Sequence, residues 1–110
     1  MEFDAAPFGI VGLETELGLF IDLLVHKHHK IDIARLIAMY TIEPARLLKI
    51  DAGTLSIGAR ADVTLIDPEL EWTVRIDQFE SASRNSPFNG WKLKGRAVRT
   101  IAGGRTVWKL

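Results

Sequence analysis

The sequence predicts an α+β chain in which two or three helices precede a small antiparallel sheet. Three observations carry this. Between Leu13 and Val25 apolar residues recur at intervals of three and four, whereas beyond Ile50 short β-branched runs alternate with glycine or proline. Between the last two runs, Gly103 and Gly104 form the two-residue signal of a hairpin. Helices followed by strands, without alternation, describe α+β or pieces cut from two larger layers.

The first helix is expected from about residue 12 to 27, with Leu13, Leu17, Phe20, Ile21 and Leu24 as its buried stripe. Glu14 and Glu16 suit its first turn, and the histidine and lysine after Val25 suit its last, because the helix dipole favours that order of charge. Asp32 is a good N-cap for a second helix, buried through Ile33, Leu36, Ile37 and Tyr40 and ending near Thr41. Pro44 fits the first position of a short third helix continuing to Leu48, since the missing N–H costs nothing there. Strands are expected at 54–57, 61–66, 72–76, 96–101 and 105–109. The type I′ turn at Gly103 and Gly104 needs positive φ at both positions.

At 110 residues and 47% apolar the chain is the size of one domain and has material for a core. Fourteen basic residues balance fourteen acidic ones without a long run of either, so nucleic acid and anionic membranes are not expected partners. Apolar stretches such as LGLFIDLLV are interrupted by charge and fall short of the roughly 20 residues of a bilayer span. Glu2 and Asp4 stand where a signal peptide carries basic residues, and the absence of cysteine fits a cytoplasmic setting. It also removes thiolate nucleophiles and zinc fingers.

The stretch PFGIVGLET places Gly9 and Gly12 just before the first helix, where backbone without Cβ atoms permits sharp turns and close approach of a ligand. Chain reversal at the glycines, with Phe8 as a plug between layers, is an equally physical reading. His26 and His28 form a His-x-His, but residues two apart on a helix do not share a face, so they and His29 read as solvated turn histidines and not as metal ligands. Asp62 and Asp67 flank VTLI as a turn and a strand-end aspartate, and Asp4 has no partner histidine for acid–base work. Residues 83–89, rich in serine and asparagine, suit a structural latch. Trp72, Trp91 and Trp108 are expected as core or interlayer anchors, because no basic groove accompanies them.

Taken together, EFDAAPFGIVGLET, PARLL, DAGTLSIGARADVTLIDPE and SRNSPFNGWKLKGRAVRTIAGG resemble the C-terminal end of bacterial-type dihydroorotases, within the amidohydrolase superfamily. The similarity runs from Glu2 to about Trp108. The strand motif around ADVTLID is shared by cyclic amidohydrolases generally, whereas APFGIVGLET and SRNSPFNGW narrow the resemblance to dihydroorotases. It implies that residues 1–50 are the loop and helices closing a (β/α)8 barrel, and that residues 51–110 belong to a composite β-sandwich. The implied activity is metal-dependent interconversion of N-carbamoyl-L-aspartate and dihydroorotate in pyrimidine biosynthesis, with zinc activating a hydroxide and an aspartate shuttling the proton. In the family those ligands and that aspartate precede the position matching Met1, so this chain would supply none of the metal ligands and no catalytic residue. Phe8 and Gly9 are implied to lie over the bound substrate.

Two other readings accompany the resemblance: a non-catalytic scaffold for aspartate carbamoyltransferase, and a segment of a hydantoinase or allantoinase. Glu43 stands where the family usually has asparagine, and Lys49 where glycine often ends the helix, so capping at both ends of the third helix is in question. Alone, the chain is expected to be inactive and to self-associate.

Overall fold

The computed structural model of the chain describes residues 9–110. Helix α1 spans Leu13–Phe20 and runs directly into a π-helical segment, Ile21–Lys27. Helices α2, Ile33–Tyr40, and α3, Ile42–Leu48, follow. A three-stranded antiparallel sheet then forms in the order β1, Val63–Thr73, β2, Lys92–Ala102, and β3, Arg105–Lys109.

The helical half has the expected extent, but of the expected stripe only Ile21 is buried, with Leu17 and Leu24 half-buried. On α1 and the π segment the buried residues are Thr15, Gly18, Leu19, Ile21 and Asp22, whereas Leu13 is 88% exposed and Phe20 also faces outward. Gly18 is the reason: it lets the helix approach the sheet so closely that an added Cβ would stand 2.7 Å from the Trp72 ring. The wider π turn then shifts the residues beyond Phe20 out of the α-helical period from which the stripe was drawn. Its i to i+5 spacing is matched by Lys27, which donates from Nζ to Asp22 Oδ2 at 2.6 Å.

Asp32 caps α2 as its residue type predicts, its Oδ1 accepting from the Arg35 N–H at 2.7 Å. Leu36 is fully buried, while Tyr40 is exposed at the end of the helix. Helix α3 begins two residues before Pro44, which therefore sits in the first turn, where N–H groups have no intrahelical partner anyway. Glu43 pairs with Arg35, and Lys49 closes the helix in the left-handed conformation, φ 56°, that glycine adopts at least cost.

Tyr40 is the single tyrosine of the chain, and its hydroxyl donates to Glu16 Oε1 at 3.0 Å. Partial burial of the phenol, the bond to Glu16 and the glutamate's charge hold its pKa well above the ordinary 10.0. A raised folded-state pKa means that the stabilising contact is complete below the unfolded value and is lost as pH climbs beyond it. In a phenolate absorbance titration we expect a midpoint well above that of free tyrosine, lowered in Glu16→Gln. An ordinary midpoint in the wild type would disprove the contact.

In the sheet, most of the expected strand 61–66 and the start of the one expected at 72–76 join in one long strand, which ends at Thr73. It passes through Pro68 because residues 68–70 bulge opposite Gly95 alone, between the Asp67–Arg96 and Glu71–Lys94 pairs, so the absent proline N–H interrupts no ladder bond. The strand expected at 96–101 starts at Lys92. The segment 54–57 is not a strand: Leu55 and Ile57 are exposed and among the described residues no strand pairs with it, so β-branched composition had nothing to act on. Gly103 and Gly104 turn with φ 56° and 78°, as the hairpin requires. Asp62 braces that turn by accepting from the Gly103 N–H at 2.7 Å, and Asp67 accepts from the Glu69 N–H at 2.9 Å beside Pro68.

The core is small. Leu19, Val74, Phe79 and Leu93 form its buried cluster, with Val11, Trp72, Ile76 and Phe88 packed around it. Trp72 thus anchors helix to sheet, but Trp91 is exposed and stacks edge-on to Phe88 with centroids 5.1 Å apart, so it is not buried in the core.

Candidate functional site

Two chain segments far apart in sequence meet at the glycine-rich loop. Gly9 adopts φ +89°, a conformation that side chains rarely tolerate, and among the described residues no atom lies within 4 Å of the position a Cβ would take. Its carbonyl accepts from Asn85 Nδ2 at 2.6 Å, and the Val11 N–H donates to the Asn85 carbonyl at 2.8 Å. Three residues on, the Glu14 carboxylate accepts from the backbone N–H groups of Glu80 and Ser81, each at 3.0 Å. The loop at 83–89 is therefore a latch on the glycine loop, and residues 80–81 ahead of it hold the start of α1. Phe8, the other residue singled out for substrate contact, lies outside the described residues.

Beside this junction is a cleft of about 580 Å³ lined chiefly by Ile10, Val11, Leu17, Trp72, Arg96 and Trp108. The Arg96 guanidinium lies 4.5 Å from the Trp72 ring centroid, and burial lowers its pKa from the usual arginine value. Trp72 itself donates from Nε1 to the Gly95 carbonyl at 3.0 Å. Gly95 has φ +98°, and a Cβ there would come within 2.3 Å of Ile21 Cγ2. Gly18, Ile21, Trp72 and Gly95 are thus one close-packed joint that sets where α1, and the loop ahead of it, stand relative to the sheet.

The histidines do not converge. His26 belongs to the π segment and is not a solvated turn residue: its Nε2 lies 2.7 Å from the Pro68 carbonyl oxygen and 3.8 Å from Glu69 Oε1. His28 and His29 are exposed, the latter at φ 48°. Glu69 instead pairs with Lys94, whose bond holds the carboxyl below its ordinary range. Among the described residues no group of three or more His, Asp or Glu side chains could hold a metal ion. These residues do not fit a zinc site.

Residues 9–107 match the Amidohydrolase family. The chain belongs to that family. This amidohydrolase segment is 47% identical over 109 residues to a dihydroorotase of Citrifermentans bemidjiense, covering 99% of the chain and 25% of the relative. A dihydroorotase of Syntrophotalea carbinolica is 46% identical, covering the whole chain and 25% of the relative. Among solved structures, the L-hydantoinase of Arthrobacter aurescens superposes with a TM-score of 0.84 at 32% identity, over 92% of this chain and 23% of that one. The helices and sheet of the amidohydrolase segment superpose on part of a larger fold, and the chain spans about a quarter of the length of these relatives.

The α+β class and the family were legible in the sequence, as was the glycine loop. The Asn85 latch was visible only as turn-forming composition, and the joint at Gly18 and Gly95 was missed, although a glycine inside a helix pattern and another inside a strand pattern were its signals.

Proposed function

We propose that this chain is the C-terminal part of a dihydroorotase, and that it supplies the substrate-facing loop and adjoining helices and sheet to an enzyme interconverting N-carbamoyl-L-aspartate and dihydroorotate. Residues 1–50 then close the barrel and residues 51–110 contribute to the β-sandwich. The metal, zinc by family resemblance, is held by residues outside this segment. The observation carrying the reading is the near-complete match of this chain to dihydroorotases at 46–47% identity. The exposed apolar surface agrees with it: Leu13, and Leu47 at 82% exposure, are placed to be covered by more protein.

In this reading Gly9, with Phe8, contacts the substrate. None of the described atoms lies within 4 Å of the Gly9 Cβ position, so they leave a ring room to approach the backbone there. Replacing Gly9 with valine in the intact enzyme fills that space and strains φ, so we expect kcat/KM for dihydroorotate to fall about tenfold or more. Unchanged kinetics would make the loop purely structural. A hydantoinase is the second reading, favoured by the structural superposition. Assaying the intact protein with dihydroorotate and with hydantoin separates the two. Activity towards neither would favour a non-catalytic scaffold, with aspartate carbamoyltransferase as the partner to test.

A further inference from the structure

We infer that Asn85 is a positioning residue that holds the Gly9 loop in its substrate-facing conformation. The inference rests on the reading of Gly9 as a substrate contact and names what fixes it in place. Asn85 grips the loop on both sides of Ile10, through its side-chain amide on Gly9 and its backbone carbonyl on Val11. Glycine at φ +89° has free access to other conformations, so the peptide needs an external restraint to stay there. The chemistry of the restraint is specific. A carbonyl can only accept, so the group facing it must be the Asn85 NH2; aspartate would present a second acceptor. Because the peptide is planar and trans, turning the Gly9 carbonyl towards Asn85 turns the Ile10 N–H to the opposite side, away from the latch.

Asn85 is itself held. Its N–H lies 3.3 Å from Ser83 Oγ, and the Arg84 guanidinium donates to the carbonyls of Ser81 and Ser83. Phe88, two residues beyond Ser86, packs against the core, and Asn89 Oδ1 accepts from the Ile76 N–H at 3.2 Å at the far end of the loop. The latch is thus tied to α1 by Glu14 and to the exit of β1 by Asn89, with Asn85 at the point that touches the glycine loop.

The test is made in the intact enzyme carrying this segment, with Asn85→Ala, Asn85→Asp and, as a control on the same loop, Asn89→Ala. Loss of one neutral hydrogen bond that orders the loop is expected to raise KM for dihydroorotate about fivefold in both Asn85 variants, with kcat changed much less. The Val11 amide should exchange hydrogen faster in the substrate-free variants. Asn89→Ala should lower thermal stability but leave KM unchanged. An active wild type with unchanged KM in both Asn85 variants overturns the inference alone, as does an equal KM rise in Asn89→Ala, or failure of both Asn85 variants to fold. A wild type without dihydroorotase activity overturns the underlying reading and the inference together.

Discussion

Replacing Gly95 with valine is expected to undock α1 from the sheet and to lower the thermal midpoint of the intact protein sharply. Two costs act at one position. The backbone at φ +98° is strained for a side-chain-bearing residue by about 1–3 kcal/mol, and the new atoms overlap Ile21, whose Cγ2 stands 2.3 Å from the Cβ position, at a typical overpacking cost of about 1–3 kcal/mol. Against a net stability of about 5–15 kcal/mol for a domain, the combination is severe. Gly58→Ala separates the terms, because Gly58 has φ +87° but, among the described residues, no atom within 4 Å of its Cβ position. The Gly58 variant should lose only the conformational part. Equal losses at the two sites, or fast hydrogen exchange in α1 absent from Gly95→Val, would show that the joint does not hold the helix.

The isolated 110-residue chain should show no turnover of dihydroorotate or N-carbamoyl-L-aspartate, even with added zinc, and should self-associate. A hydroxide-generating zinc site normally takes about three protein ligands, and the described residues bring no such group together. Self-association follows from Leu13, Phe20, Leu47, Leu48, Leu55 and Ile57, all exposed. Each large apolar side chain left in water forgoes roughly 1.5–3 kcal/mol, so several of them rival the stability of a small domain. Light scattering should find oligomers, and hydrogen exchange should find residues 13–48 less protected than the sheet. Under the proposed dihydroorotase reading, co-expression with the remaining portion should restore a discrete, active species. A monodisperse monomer with chelator-sensitive turnover would contradict both parts.

Local chemistry was readable without the fold. Asp32 caps α2, and Gly103 and Gly104 close the hairpin. Each outcome depends on a few neighbouring bonds and on the steric limits of φ, which a short stretch of sequence contains in full. The Asp67–Pro68 stretch misled for the same reason: proline argues against a continuous strand until a bulge opposite Gly95 leaves it without a ladder bond to break.

What only the tertiary structure decided is which surfaces meet. The leucine spacing of α1 shows that an apolar face exists, but burial depends on the partner. Against this sheet the closest fit comes from Gly18, because small residues permit approach that leucines prevent. Asn85 lies 76 residues from the Gly9 carbonyl it holds, a separation across which no periodicity carries information. The sequence by itself therefore determined the extent of the helices, the cap at Asp32, the closing hairpin and the family. The fold decided the helix face turned to the sheet, the latch on the glycine loop and the joint at Gly95, because those depend on distances between atoms that the chain brings together only when packed.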